Sequence, residues 1–408
     1  MENNLRTLNP ELSEKIKIAV SELLKDKTPS EIGMRDIAQK CGTTPANLYH
    51  YYKNKDEILN ANIGDFSTDK NNSVQSTQNE KRNGMKEVSA MVEYRPGIKV
   101  VDATLRDGGL CNNFFFPEGF AKALYETNVK AGVDYMEFGY KADKEMFAVK
   151  EFGPSKFSDE DYIRSVVGDN NTDLKIAVMA DVGRCNYKQD IIEKSNSAID
   201  LVRVATYLHQ MPGAVDMIED AKKKGYEVSC NIMAISNTQG EDLRAGLELL
   251  GKSPVDIIYI VDSYGAVYPE EMARIADIYG EFASKYNKKL GIHAHDNQRL
   301  AFANTIECAG DGVEYLDATY NAMGRGAGNC SMELLLGFLH NPKFKLFPVL
   351  KFIEEHMTPL KESGVQWGYD LQYLLTGVFN QHPRTAIQFT KDGRKDYAEY
   401  YKEITAQE

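Results

Sequence analysis

At 408 residues, 42% of them hydrophobic, the chain is long enough to bury one large core and a small second one; its formal net charge of -12 argues against nonspecific nucleic-acid binding by the chain as a whole. The six cysteines (Cys41, Cys111, Cys185, Cys230, Cys308, Cys330) form no CxxC pair and no zinc-site spacing, so they read as reduced thiols. No charged start leads into an apolar stretch and no apolar run reaches the roughly 18 residues of a membrane span, so no membrane is expected and the expected location is cytoplasmic.

In chain order, residues 11–25, ELSEKIKIAVSELLK, set Leu12, Ile16, Ala19 and Leu23 on one face of an amphipathic helix, flanked by Ile18 and Val20. MRDIAQKCG (34–42) is a short helix stopped by Gly42, and TTPANLYHYY (43–52) restarts at once with Thr44 as cap and Pro45 in the first turn. Two short helices around a glycine turn make a helix-turn-helix. The stretch IAQKCGTTPANLYHYYKNKDEIL resembles the DNA-binding module of TetR-type repressors, down to its Leu-Tyr-x-Tyr-Tyr run and the Lys55 that follows. That resemblance implies DNA contact through residues 10–65, with Thr44, Asn47, Tyr49, His50 and Lys55 facing phosphates or bases. Acidic and basic side chains are nearly balanced here, which is no strong phosphate-binding footprint, and a three-helix cap used for dimerisation is the other reading.

A TetR-type protein would continue with an all-helical ligand domain, but residues 66–90, FSTDKNNSVQSTQNEKRNGMKEVSA, are polar and almost without large apolar side chains. Such a stretch cannot bury enough surface to offset its ordering entropy. The expected organisation is a small all-α domain over 1–65, a polar linker over 66–96, a catalytic domain over 97–340 and a helical extension over 341–408.

From residue 98 strands and amphipathic helices alternate. Strands are expected over 99–107, 135–140, 175–181, 201–207, 227–235, 256–265, 290–297 and 315–320, a pattern that fits an α/β fold, the closed (β/α)8 TIM barrel. An open doubly wound sheet would need a glycine-rich phosphate turn after its first strand, and RDGGLCNN is not one. In the extension, His382 and Arg384 are within reach of the active-site mouth, with a surface turn before Pro383 as the preferred reading.

Chemistry in this fold sits at the C-terminal ends of the strands. In KLGIHAHDN (289–297) the strand period of two points His293 and His295 the same way, close enough to share one cation; hydrogen-bonded core histidines are the alternative. Arg106 and Asp107 follow another apolar strand, and a carboxylate with two imidazoles makes an N,N,O metal site, a set that iron oxygenases also use. Further polar strand ends are Glu137 and Tyr140, Thr206 and Tyr207 with His209, Asn231, Asp262 and Tyr264, Asn297, and Asp317 with Asn321.

TLRDGG, VRVATY, YIVDSYGAV, GIHAHDN and DATYNAMGRGAGN together resemble the DRE-TIM metallolyase superfamily, most closely its 4-hydroxy-2-oxovalerate aldolase branch, over about residues 97–340. The resemblance implies that Asp107, His293 and His295 hold a divalent metal, Mn2+ or Mg2+, that Arg106 steadies an enolate, that Asn297 belongs to the surrounding shell, and that the loop with Gly326 and Asn329 shapes the substrate end. Thr206, Asn231 and Asp262 complete the expected substrate contacts. The implied activity is cleavage or formation of a 4-hydroxy-2-oxo acid through the enolate of pyruvate or a related 2-oxo acid. Where the aldolase branch has a histidine three residues after the metal aspartate, this chain has Leu110, so Tyr264 and His209, with Tyr207 and Tyr320, become the candidate proton-transfer groups. The branch also implies a homodimer and an aldehyde dehydrogenase partner. Two other readings stand beside it: a Claisen-type acyltransferase like isopropylmalate or homocitrate synthases, which usually read RDGEQ where this chain has Gly109 and Leu110, and a DNA-binding regulator that uses the barrel as a ligand sensor.

Overall fold

The computed structural model describes residues 10–26, 32–48, 51–52, 55, 57–59 and 97–406. They fall into two compact units, one within residues 1–90 and one within 91–408. Tyr49, His50 and the linker expected over 66–96 lie outside the described residues.

In the first unit α1 (Pro10–Asp26), α2 (Met34–Lys40) and α3 (Pro45–Leu48) follow the expected order. Ile16, Ala19 and Val20 of α1 meet Ile37 of α2 and Leu48, Ile58 and Leu59 in a small apolar core. Ile18 faces away at 54% exposure, so the buried face is narrower than its flank suggested. The turn between α2 and α3 passes through Gly42 at φ +66, a left-handed geometry that favours glycine. Thr44 Oγ1 then accepts the N–H of Asn47 at 3.3 Å, as a helix start requires. Thr44 is exposed, and Asn47 and Lys55 are half-buried.

In the second unit eight parallel strands close on themselves in chain order: β1 (Lys99–Asp102), β2 (Tyr135–Tyr140), β3 (Lys175–Asp181), β4 (Leu201–Thr206), β5 (Glu227–Ile232), β6 (Ile257–Asp262), β7 (Lys289–Ala294) and β8 (Tyr315–Ala318). β1 pairs with both β2 and β8, so the sheet has no free edge. Side chains alternate along each strand. One set, including Phe138, Val178, Val204, Ile258 and Ile292, packs outward against the helices. The other fills the barrel, with Val101, Tyr135, Leu201, Ile257 and Tyr259 among its apolar members. The same parity brings Glu137, Arg203, His293 and Asp317 inside. Gly291 is there for a close approach: a Cβ on it would lie 2.4 Å from the Tyr259 ring, whose face carries the Arg203 guanidinium at 4.5 Å.

Two strand ends differ from expectation in a way that shapes the site. β1 stops at Asp102, because its carboxylate turns back to accept the N–H of Thr104 at 2.9 Å; Arg106 and Asp107 therefore lie in the helical turn Thr104–Gly108, not on a strand. β7 ends at Ala294, leaving His295 one residue beyond, bridged to Asn329. Past the barrel, Leu346–Phe352 packs into the main core through Val349 and Phe352. The later helices Leu371–Val378, Arg384–Lys391 and Tyr397–Thr405 gather around Tyr373, Ala386, Phe389 and Tyr400, with Ala327 of the glycine-rich loop in the same cluster. Among the described residues no helix is long and apolar enough to cross a membrane.

Candidate metal centre and active site

Asp107, His293 and His295 are all buried, and one ligand atom from each lies within 4.8 Å of the others. The two imidazoles stand nearly perpendicular, ring centres 5.2 Å apart. His293 Nδ1 meets Asp317 Oδ2 at 3.0 Å, while its Nε2 is buried and has no hydrogen-bond partner. A carboxylate on one ring nitrogen fixes the tautomer that leaves a lone pair on the other, which is how metal-bound histidines are held. Asp107 Oδ2 accepts from Asn329 Nδ2 at 2.8 Å and from the N–H of Arg325 at 3.2 Å. Only glycine fits at 324, since a Cβ there would lie 2.2 Å from Asn329 Nδ2 and 2.6 Å from Asp107 Oδ2.

Beneath the triad the charges form a closed ring. Arg106 donates from Nη1 to Asp107 at 2.7 Å and from Nε to Glu137 at 2.8 Å. Arg203 donates to the same Glu137 oxygen at 2.8 Å and to Asp317 at 2.6 Å; Asp317 holds His293, whose Nδ1 lies 3.4 Å from Arg106 Nη2. Burial alone would raise the Asp107 carboxyl, but the permanently charged guanidinium groups of Arg106 and Arg325 hold it below the usual carboxylate range. Burial, with the neighbouring cationic groups, keeps the His295 imidazole well below its ordinary value and therefore neutral. Three carboxylates (Asp107, Glu137, Asp317) face two guanidinium groups (Arg106, Arg203) in this ring, which leaves a buried excess of negative charge. An orphaned imidazole nitrogen, a neutral second imidazole, an ionised carboxylate and that excess all fit a divalent cation.

The triad opens into a cavity of about 360 Å³. Arg106, His209, Asn231 and Tyr264 line it, and so does Leu110. Asn231 Oδ1 accepts the Ser229 hydroxyl at 2.9 Å, while its buried Nδ2 has no partner. His209 stacks on Tyr207 with ring centres 5.7 Å apart, and Tyr264 meets the ring of His382 edge-on at 5.6 Å. Burial raises the Tyr264 hydroxyl above its ordinary value, so it keeps its proton.

Other expected residues stand outside the cavity wall. Asp262 is buried and accepts the N–H groups of Ala266 and Val267, shaping the turn after β6, with its carboxyl pushed up to about 7 by burial against those bonds. Thr206 donates to the carbonyl of Tyr207. Asn297 reaches the Tyr373 carbonyl and Thr376 Oγ1 at 3.4 Å each, tying the loop after β7 to the helix Leu371–Val378. Gly326 turns at φ +66 against the Tyr373 ring, and Asn329 acts through Asp107. Tyr320 is buried away from the cavity and donates to Asn128. His382 and Arg384 line the cavity, the second of their two expected placements rather than the preferred surface turn, because the extension folds back over this end of the barrel. Lys156, Asp181 and Arg184 also line it and were missed. Asp181 ends β3 and was readable by the same rule as the other strand ends, whereas Lys156 lies in an aperiodic loop that carries no such signal.

Residues 97–357 match the HMGL-like family model, and residues 19–61 match that of the bacterial regulatory proteins of the tetR family. The chain is 28% identical over 243 residues to the oxaloacetate decarboxylase of Mycobacterium tuberculosis, covering 59% of this chain and 69% of that protein. It is 29% identical over 265 residues to the 4-hydroxy-2-oxovalerate aldolase of Thermus thermophilus, covering 64% of this chain and 75% of that protein. Among solved structures, the N-terminal domain of a protein assigned as an aldolase from Bacteroides vulgatus superposes with a TM-score of 0.61 at 27% identity, covering 72% of this chain and 96% of that chain. The closed barrel, the strand-end triad and a match over more than half the sequence lead to one conclusion: this chain belongs to the HMGL-like family, and a TetR-type helix-turn-helix module precedes its barrel.

Proposed function

We propose that the barrel is a divalent-metal-dependent carbon-carbon lyase of the aldolase type, cleaving or forming a 4-hydroxy-2-oxo acid through the enolate of pyruvate or a related 2-oxo acid. The observation that carries this is the buried Asp107, His293, His295 triad with an unpartnered His293 Nε2. A divalent ion bound there supplies Lewis-acid stabilisation of negative charge developing on the substrate oxygens. Arg106, fixed by Glu137 and Asp107 in the cavity wall, adds a preorganised cation for the same charge. The unpartnered Asn231 Nδ2 offers a neutral donor to the substrate. His209 takes the proton of the 4-hydroxyl group as the aldehyde leaves, and Tyr264, which keeps its proton, acts as a donor.

A second reading is decarboxylation of a 2-oxo acid with a carboxylate on its third carbon. Leu110 in the cavity wall favours it, since loss of CO2 leaves the same enolate without a base to deprotonate a hydroxyl. For the first unit we propose DNA binding, supported by the match over residues 19–61 and the exposed Thr44 at the start of α3.

The test is to incubate the full chain with Mn2+ or Mg2+ and a panel of 4-hydroxy-2-oxo acids, following pyruvate. Release abolished by a chelator and restored by the metal supports the lyase. Pyruvate from oxaloacetate alone would select decarboxylation, free CoA from acetyl-CoA plus a 2-oxo acid would select Claisen condensation, and indifference to chelators would overturn the metal-dependent reading. A mobility shift on the gene's own upstream DNA, with and without 2-oxo acids, tests the helix-turn-helix and any sensing by the barrel.

A further inference from the structure

The chain as a whole is acidic, at -12, yet the cavity wall formed around β2 and β3 is cationic. Lys156 is buried there, with its ammonium 4.1 Å from the ring centre of Phe147, 4.9 Å from that of Tyr140 and 5.4 Å from those of Phe114 and Phe152. Arg184 stands on the same wall. Among the described residues no carboxylate oxygen lies within 4.0 Å of the Lys156 ammonium or of an Arg184 guanidinium nitrogen. Asp181 shares the wall, and two cations against one carboxylate leave it net positive.

A buried ammonium whose nearby carboxylate, here Asp181, makes no direct ion pair with it is costly unless something offsets its lost hydration. Ring faces do so in part, since each attracts a cation. The remainder would come from an anion entering the cavity. The 2-oxo acid end of a substrate already has the triad and Arg106, which pairs with Asp107 and Glu137, whereas Lys156 and Arg184 stand on the wall around β2 and β3 and pair with neither carboxylate. They serve a different part of the ligand.

We propose that the ligand of this cavity carries a second anionic group, a carboxylate or a phosphate remote from its 2-oxo acid end, and that Lys156 with Arg184 receives it. The substrate class is then a dianionic 2-oxo acid rather than one ending in an uncharged alkyl group. This rests on the lyase reading for the position of the first anion, and the experiment below separates the two.

The experiment is calorimetric titration of the Mn2+-loaded full chain with matched, non-cleaved ligands: 2-oxovalerate, 2-oxoglutarate, which carries a carboxylate in place of the terminal methyl, and 2-oxo-4-phosphonobutyrate, which carries a phosphonate there. We expect the dianions to bind at least about tenfold more tightly than 2-oxovalerate, a difference of about 1.4 kcal/mol. The preferred dianion tells carboxylate from phosphate. Lys156→Met should collapse the difference while leaving 2-oxovalerate affinity within about twofold, and Lys156→Arg should keep it. Because Lys156 is buried, the exposed Arg184→Gln provides a second variant that spares the core and should reduce the difference at least about threefold. Equal affinities for all three ligands would overturn the proposal, as would a dianion preference that survives both Lys156→Met and Arg184→Gln. A preference lost only in Arg384→Gln, on the facing side by Tyr264 and His382, would also overturn it. Dianion selectivity without pyruvate release from any substrate would sink the lyase and leave the anion subsite standing.

Discussion

Asp317 and Nδ1 of His293 lie 3.0 Å apart, and the carboxylate oxygen in that contact is the one that also accepts from Arg203. One oxygen thus sets both the tautomer of a metal-ligand candidate and the position of a buried guanidinium. Asp317→Asn should lower Mn2+ affinity by roughly 10- to 100-fold, read by calorimetric titration, because the amide no longer secures the proton on Nδ1. Unchanged affinity would mean that His293 binds no ion.

Gly324→Ala should act at the neighbouring ligand. The added methyl meets Asn329 and Asp107, so Asp107 must move while the backbone has no left-handed torsion to lose at this position. Mn2+ affinity and turnover should fall together, turnover by roughly 100-fold. Loss of turnover at full metal affinity would instead place the damage on the substrate side.

His209→Asn and Tyr264→Phe separate the proton-transfer candidates. His209→Asn is expected to lower kcat by about 100-fold or more with Mn2+ binding intact, and Tyr264→Phe to have a smaller effect. The reverse order in steady-state kinetics would make Tyr264 the base, and no effect of either on oxaloacetate turnover fits decarboxylation.

His382 gives a pH signature. Burial, then Arg325 and Arg384, lower its imidazole from 6.5 to about 4, so the folded chain stays neutral there while the unfolded chain takes up a proton. The unfolded state binds more protons between these values, so stability falls as pH drops from 6.5 to about 4 and is not lost further below that. The ring is only half-buried, so solvent screening reduces the effect to roughly 1 kcal/mol. His382→Gln should therefore lose about 2 °C less in Tm over that window than the parent chain.

Much of this was legible in the sequence because it follows from periodicity. Alternating strands and helices gave the barrel, and the period of two put His293 and His295 together. Strand bounds were less legible where a side chain ends the strand: Asp102 accepting from Thr104 is a local bond that looks, in sequence, like one more strand residue. Parity explains why two expected substrate contacts stand outside the cavity wall. Thr206 and Asp262 each follow an inward-facing neighbour, Ala205 and Val261, which line the cavity while they do not. Contacts brought by distant chain, such as Lys156 under its aromatic rings and His382 beside Tyr264, had no pattern to betray them. The glycine-rich loop was recognised, but its tightest constraint, the approach of Gly324 to Asp107, is set by packing across more than two hundred residues of sequence.

The closed ring of Asp107, Arg106, Glu137, Arg203, Asp317 and His293 has an evolutionary corollary. Its members are coupled, because neutralising Glu137 would take one of two carboxylate partners from each of Arg106 and Arg203, and dropping Arg203 would leave Glu137 with Arg106 alone and Asp317 with His293 alone. Relatives that abandon the ion should shed these charges in matched pairs, and co-inheritance of Glu137 with Arg203 across the family would record which lineages still use it.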